Sequence, residues 1–393
     1  MKKKNFFTLM AILTLLMLGG CTKPATNSSQ ESAYTDSSTV ECIHQDSSAP
    51  SSIEDATTSC RHVDLVLNDR HYIQADVEGG QYTRLDSVVL EPLPVSVEES
   101  LDIFAPGDAS IYSVQKTEEG FRLISQSGNR CYVSPYRITF EKENEIQNKI
   151  NNEILNLLAL YAEEKPATSW NDLDFIDQTR AIQMVEEFLK KIGVNLEPVL
   201  QTCAAMPAKE IINYQQELLK RDQTSEERYY DPFDNVYLLD DIDQKSDACF
   251  LSFTFTYQGI PIYKGSPTVS YVPGVLPPAP VTLSVLITRQ GLQIFNGMGL
   301  YHVGQTHHTS DILAAEEAAD VYRQKYDLVI HPEGDDMRVS RIYLEYIPVV
   351  ADTNTILTPY WCFPIEIDYP VGWYVVAAER FNAFTGEDIT YGG

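Results

Sequence analysis

Positive charge is what this chain is short of. Its 393 residues carry 29 Lys and Arg against 56 Asp and Glu, a formal net charge of −27, and Lys2, Lys3 and Lys4 sit in a leader whose removal takes it to −30. Phosphate backbones and anionic headgroups repel so acidic a chain, so no nucleic acid is expected as a partner, nor electrostatic adhesion to a membrane. Glycine and proline are modest, at 20 and 21 residues, and 44% of the chain is hydrophobic, which excludes a fibrous or wholly disordered protein. Beyond the first 20 residues no apolar run approaches the roughly 20 residues that cross a bilayer as a helix. Also missing are a Cys-x-x-Cys pair, a Gly-x-Ser-x-Gly elbow, a His-Glu-x-x-His helix, a P-loop and a dinucleotide fingerprint. No catalytic residue, metal set or cofactor is therefore nominated, and a non-enzyme is expected.

What is present begins with an export signal. Lys2–Lys4 precede an apolar run from Phe6 to Leu18, and the run ends in Leu18-Gly19-Gly20-Cys21. These four residues resemble the bacterial lipobox. The resemblance implies a signal peptide over 1–20 and a diacylglyceryl group on the Cys21 thiol, with attachment to the extracytoplasmic face of the cell membrane of a Gram-positive bacterium. Two acyl chains, at about 0.8 kcal/mol per buried CH₂, hold a protein to a bilayer without a basic patch. In the segment 21–59, 16 of the 38 residues after Cys21 are Ser or Thr. Such a segment cannot bury enough surface to fold and is expected to be a tether spanning roughly 35 Å.

Six further cysteines, Cys42, Cys60, Cys131, Cys203, Cys249 and Cys362, allow 15 pairings that the sequence does not discriminate. Cys249 and Cys362 fall in apolar, strand-like runs, where cysteine acts as a small hydrophobe.

From His62 to about Phe140 the pattern alternates with the period of two of β-strands, interrupted by a short helix that Ser96 caps through Phe104. Helices are expected over Glu141–Glu164, with Ile146, Ile150, Ile154, Leu157, Leu158 and Tyr161 on the buried stripe, and over Asp174–Ile192 and Ala208–Arg221. Strands follow at Cys249–Tyr257, Ile260–Tyr263, Val281–Thr288 and Leu292–Gly297. Ser310 is expected to cap a helix ending at Tyr326, ahead of strands at Val339–Val349, Tyr360–Ile367 and Gly372–Phe381. Grouped strands after a helix argue an α+β class with antiparallel sheets rather than a doubly wound parallel fold. The expected domains are 60–165, β-rich with a closing helix, then α+β modules over 170–300 and 305–393.

The helix opening Ala314-Ala315-Glu316-Glu317-Ala318, the strand Ile342–Tyr346, the phrase Leu357–Phe363 and the closing Phe381–Glu387 resemble the PepSY superclass, and more closely the extracytoplasmic lobes of the YycH and YycI regulators of a cell-wall sensor kinase. Tyr257–Tyr263 is similar to the Gly-Ile-Pro step of protease propeptides in that superclass. The resemblance covers about 220 residues as two consecutive copies, and the mature chain resembles lipoproteins of anaerobic Gram-positive bacteria. It implies a non-catalytic binding or regulatory module for an envelope protein partner. A solute- or ligand-capturing lipoprotein is the alternative, and an envelope hydrolase a more distant one. Without any family, Trp361 and Phe363 share the face expected to pack on the 311–326 helix, Pro359 fits the first position of a strand, and Thr385-Gly386-Glu387 suits a tight turn with Gly386 at positive φ.

Three polar clusters stand out. His302, His307 and His308 are the densest histidine group, but a polar strand end gives the same spacing, so no metal is assigned. Asp231, Asp234, Asp240, Asp241, Asp243 and Asp247 fit a solvated loop and lack the central Gly and twelfth-position Glu of an EF-hand. Tyr229, Tyr230, Phe233 and Tyr237, interleaved with these aspartates, are the candidate partner-contact residues.

Overall fold

A computed structural model of the chain describes residues 62–104, 111–117, 120–142, 145–165, 169–171, 173–224, 246–265, 280–326, 336–351, 354–369 and 372–389. The leader, Cys21, the 21–59 tether, Cys42, Cys60, the acidic residues Asp231–Asp243 and Tyr229, Tyr230, Phe233 and Tyr237 lie outside these. In chain order the elements are β1 (His62–Asn68), β2 (His71–Glu78), β3 (Arg84–Glu91), α1 (Val97–Phe104), β4 (Ile111–Lys116), β5 (Phe121–Ser125), β6 (Arg130–Ser134), β7 (Arg137–Glu141), α2 (Glu145–Glu164), α3 (Gln178–Lys191), β8 (Glu197–Met206) and α4 (Ala208–Thr224). They continue with β9 (Ala248–Tyr257), β10 (Ile260–Pro261), β11 (Thr282–Thr288), β12 (Gly291–Met298), β13 (His302–Asp311), α5 (Ala315–Tyr326), β14 (Met337–Ala351), β15 (Asn354–Tyr369) and β16 (Gly372–Asn382). Helices and mostly antiparallel sheets make this an α+β fold.

The strands form two sheets. One runs β1-β2-β14-β15-β3-β13, with β16 also on β15, and the other runs β10-β9-β11-β12-β7-β6-β5-β4, with β8 also on β9. The β2–β14 pair is parallel and the other strand pairs are antiparallel. The sheets meet where Ile262 bridges Tyr346 and the Tyr263 N–H donates to the Tyr346 carbonyl at 2.9 Å.

This interleaving does not follow the boundaries expected after 165 and after 300. β1–β3 belong with β13–β16, and β7 pairs with β12. The physical reason is that period-two alternation shows which face of a strand is buried and says nothing about its neighbour.

β9 explains its own composition. Its Ala248 and Phe250 face Ile154, Leu157 and Leu158 of α2 and Ile211 and Leu218 of α4, while Cys249, Leu251 and Phe253 join the main core with Ala181, Val185 and Leu189 of α3. A strand covered on both faces loses its alternation, hence the apolar run Ala-Cys-Phe-Leu.

Several local expectations hold. Ser96 and Glu99 form a capping box at α1: the Glu99 N–H donates to Ser96 Oγ at 3.2 Å and the Ser96 N–H to Glu99 Oε2 at 2.9 Å. The Ser96 N–H holds the Glu99 carboxyl below its ordinary range. Trp361 and Phe363 do pack on the helix, with Phe363 stacked on Tyr322 at 5.1 Å between ring centroids. Gly386 has φ +73°, the Gly386 N–H donates to the Asn382 carbonyl, and the Glu387 N–H donates to Thr385 Oγ1, closing the expected turn.

Others are corrected. Ser310 lies inside β13, and α5 starts at Ala315, where the Ala314 N–H bonds Glu317 Oε2 instead. Pro359 lies within β15, between the last β3 pair (Leu357 with Val88) and the first β16 pair (Tyr360 with Asn382), so it interrupts neither ladder. Glu141 ends β7 rather than opening α2, and Ile146 on the first turn is 66% exposed because that turn buries Asn148, which bonds Glu141, instead. Cys131–Phe140 is a hairpin, β6–β7, turning at Pro135 and Tyr136, and β4 and β8 were not anticipated.

α3 starts at Gln178, not Asp174. Asp177 is its N-cap, its carboxylate accepting from the Arg180 N–H at 2.8 Å. Asp177→Ala is expected to cost about 1 kcal/mol, read as a lower urea midpoint with an unchanged slope. An unchanged midpoint would mean that the cap is idle.

Candidate functional site

Ten residues, His302–Asp311, eight of them polar, make an edge strand. β13 has one strand neighbour, β3, among the described residues, and Gln305 to Thr309 are exposed in succession. Alternation is absent because neither face of its middle is buried, which is why the sequence showed only a histidine cluster here. At Gly304 the Glu91 side chain of β3 lies over the backbone, where an added Cβ would meet its carboxylate.

The orientation of the edge follows from one hydrogen bond. The Ile312 N–H donates to the Thr83 carbonyl, and the register continues Asp311 with Arg84, Ser310 with Leu85 and Thr309 with Asp86. Antiparallel pairs alternate between bonded and non-bonded, so Ser310 turns its backbone groups toward β3 while Thr309 and Asp311 turn theirs outward. At the other end of the strand the outward groups of Val303 are taken: its N–H donates to Asn195 Oδ1 at 2.6 Å and its carbonyl accepts from Asn195 Nδ2 at 3.0 Å. One asparagine side chain thus caps the first part of the edge, and among the described residues no strand covers the rest.

Both ends of this strand are held from below. His302 Nδ1–H donates to the Gly193 carbonyl at 2.8 Å, at the left-handed C-terminal turn of α3. His308 lies edge-on to Phe384 at 5.4 Å. Thr309 Oγ1 donates to the Asp86 carboxylate, which also accepts from Gln258 Nε2 at 3.0 Å, and the Asp86 carbonyl accepts from Tyr346 OH at 2.8 Å. The Tyr257–Ile260 turn of the other sheet therefore braces the edge through Asp86. The three histidines do not converge: His302 faces α3, His308 faces Phe384, and His307 sits at a bulge. Among the described residues no three His, Cys, Asp or Glu side chains are placed to hold a metal ion.

Two polar clusters, one buried and one partly so, flank the β14–β16 ladder. On one face Glu345 Oε2 lies 3.4 Å from both Arg380 Nε and Cys362 Sγ, with the Arg380 guanidinium 5.2 Å over the Tyr263 ring. Burial pushes the Glu345 carboxyl up, against the pull of Arg380, and raises the Cys362 thiol well above its usual range, with Glu345 adding to it. On the α5 face His71 Nε2 and Tyr322 OH lie 2.8 Å apart, Tyr326 OH donates to Glu379 Oε1 at 2.7 Å, and Lys325 Nζ donates to Glu379 Oε2 at 2.6 Å. Burial raises both tyrosine hydroxyls, and Glu379 adds to it; burial opposes the Lys325 charge, but Glu379 and Asp388 hold it above its ordinary value. These groups are spent on one another inside the fold.

The cysteines behave as expected for small hydrophobes. Cys131 and Cys249 are buried and their thiols pushed up to about 12 by desolvation; the half-buried Cys203 is raised for the same reason, against a bond from Gln178. A protonated thiol is a poor nucleophile. Of the acidic run only Asp247 is described; it accepts from the Ala208 N–H at 2.9 Å and pairs with Arg289, a structural role at the start of α4.

No family model matches the chain, and no curated protein does. Among solved structures it is similar to a protein from Eubacterium rectale ATCC 33656, described as uncharacterized, at 14% identity and a TM-score of 0.48, over 84% of this chain and 93% of that one.

Proposed function

We propose that this chain is a non-catalytic binding module, lipid-anchored through Cys21 to the extracytoplasmic face of the cell membrane, that takes an extended segment of an envelope protein as an added strand along β13. The observation that carries the reading is the edge itself: a ten-residue strand with one strand neighbour among the described residues, with Thr309 and Asp311 turning backbone donors and acceptors outward. Main-chain pairing at such an edge gives affinity, and side-chain positions give selectivity. Of the devices that blunt natural edges β13 lacks lysine and proline; its bulges fall between Val303 and His308, ahead of the regular Thr309–Asp311 stretch. The lipobox-like Leu18–Cys21 supports the anchor, and the Ser/Thr-rich 21–59 segment supports a tether that holds the module off the bilayer. We also take 170–300 and 305–393 as two PepSY-like copies, in keeping with a regulatory role.

The test uses proline, which removes a donor. Thr309→Pro deletes an outward N–H and leaves the ladder to β3 intact, whereas Thr309→Val removes only the hydroxyl bond to Asp86. Crosslinking on host membranes is expected to recover one dominant envelope protein with the wild type and with Thr309→Val, and to lose it with Thr309→Pro at an unchanged melting temperature. Recovery of the same protein by a folded Thr309→Pro would refute the edge, and a Cys21→Ala chain that still fractionates with membranes would refute the anchor.

A further inference from the structure

The β5–β7 part of the second sheet buries one face and leaves the other open. Leu123, Cys131, Val133, Ile138 and Phe140 point into the core, so the intervening Arg122, Arg130, Tyr132, Arg137 and Thr139 point out. The register sets Arg122 opposite Tyr132 and Tyr132 opposite Thr139, with Arg130 and Arg137 two residues to either side of that row. Diagonal neighbours of this kind are about 7–8 Å apart. All five line one groove of about 350 Å³, together with Thr117 and Glu141.

The charge in this groove is anomalous for a −27 chain. Arg180, Arg221, Arg289, Arg338 and Arg380 each hold a carboxylate. Arg122, Arg130 and Arg137 hold none among the described residues; Arg137 instead lies 5.9 Å over the Tyr132 ring. The one acid in the groove, Glu141, faces Arg130 across the ladder, yet its Oε2 accepts from Asn148 Nδ2 of α2 and not from arginine. Among the described residues three guanidiniums stand against one carboxylate, a local charge of about +2, and no carboxylate occupies their donor forks.

We propose that this groove is a binding site for a small organic ligand carrying phosphoryl groups, clamped by Arg122, Arg130 and Arg137, with Tyr132 as the floor. A phosphoryl group brings close to two negative charges and three acceptor oxygens, which matches both the charge and the several forks. The net charge of the rest of the chain argues for a free ligand over a headgroup, because an anionic bilayer repels the whole molecule while a small ligand feels the local field. The site is independent of β13, which lies in the other sheet.

Calorimetric titration of the full chain with pyrophosphate, at constant ionic strength, tests it. Saturable one-site binding is expected, weakened at least about tenfold by Arg122→Gln or by Arg137→Gln, since each loses hydrogen bonds to a charged group. Arg122→Lys keeps the charge but not the fork, and is expected to bind more weakly than the wild type. Both arginines are exposed, so the variants should melt with the wild type. No heat with pyrophosphate, equal binding of citrate, or binding to phosphatidylglycerol vesicles in place of pyrophosphate would each overturn the assignment. So would undiminished affinity in a folded Arg122→Gln/Arg137→Gln double variant.

Discussion

Arg380→Ala is expected to destabilise the protein by about 3–5 kcal/mol, because it strands a carboxylate that has no route to water. Glu345 and Arg380 are 5% and 6% exposed, and the thiol beside them is fully buried. The loss arises from the charge left behind rather than from the worth of the pair. Replacing both partners, Glu345→Gln with Arg380→Met, is therefore expected to recover most of it. Urea titrations of the three chains decide the matter, and a single variant within about 1 kcal/mol of wild type would show that water reaches Glu345.

The same residue gives a pH dependence of unusual sign for a carboxylate. Burial raises the Glu345 pKa above its unfolded value of 4.5, so in the window above 4.5 the native state holds more protons than the unfolded one. Its contribution to stability is fully present below 4.5 and is lost as pH rises through the raised native value. Glu345→Gln is expected to flatten that fall in the melting temperature. An unchanged slope would place the carboxylate at its ordinary value.

Trp361→Ala comes next, at about 3–5 kcal/mol. The indole is 1% exposed among Phe363, Phe381 and the α5 residues Ala315 and Ala318, and its Nε1–H donates to the Leu313 carbonyl at 3.0 Å, just ahead of the helix. Truncation opens a cavity and orphans that carbonyl, so amide exchange should show α5 losing protection first. Trp361→Phe, which fills most of the space, should cost much less. Uniform loss of protection across both sheets would show that α5 has no separate stability.

Trp361 was legible because two aromatics at period two must share a face, and an amphipathic helix in the same stretch needs a face to cover. Ser96, Gly386 and Cys249 were legible for similar reasons: capping, positive φ and burial are decided within a few residues. β13 was not, because a strand with two wet faces carries no pattern, and its histidines drew attention to metal chemistry instead of to the backbone between them. The bulges around Thr306 and His307 blur it further. Pairing was hidden as well, since nothing in His71–Glu78 names Met337–Tyr343 as its parallel neighbour. The arginine groove lay between these cases: Arg122, Arg130 and Arg137 fall on the outward phase of strands whose inward phase is apolar, so correct strands would have nominated them.

The parallel pairing of β2 with β14 has a consequence for how the chain comes into being. Strand β2 is made some 260 residues before its neighbour, and β3 waits as long for β15. Closing loops of that length is entropically costly and slow, and the first sheet cannot be completed by any N-terminal fragment. While synthesis continues, β1 and β2 stay a two-stranded ribbon and β3 waits for β13 and β15, the kind of open-edged species that associates wrongly or calls for a chaperone. Completion of the first sheet is thus a late event that waits for β14 and β15, whereas every strand of the second sheet precedes β13.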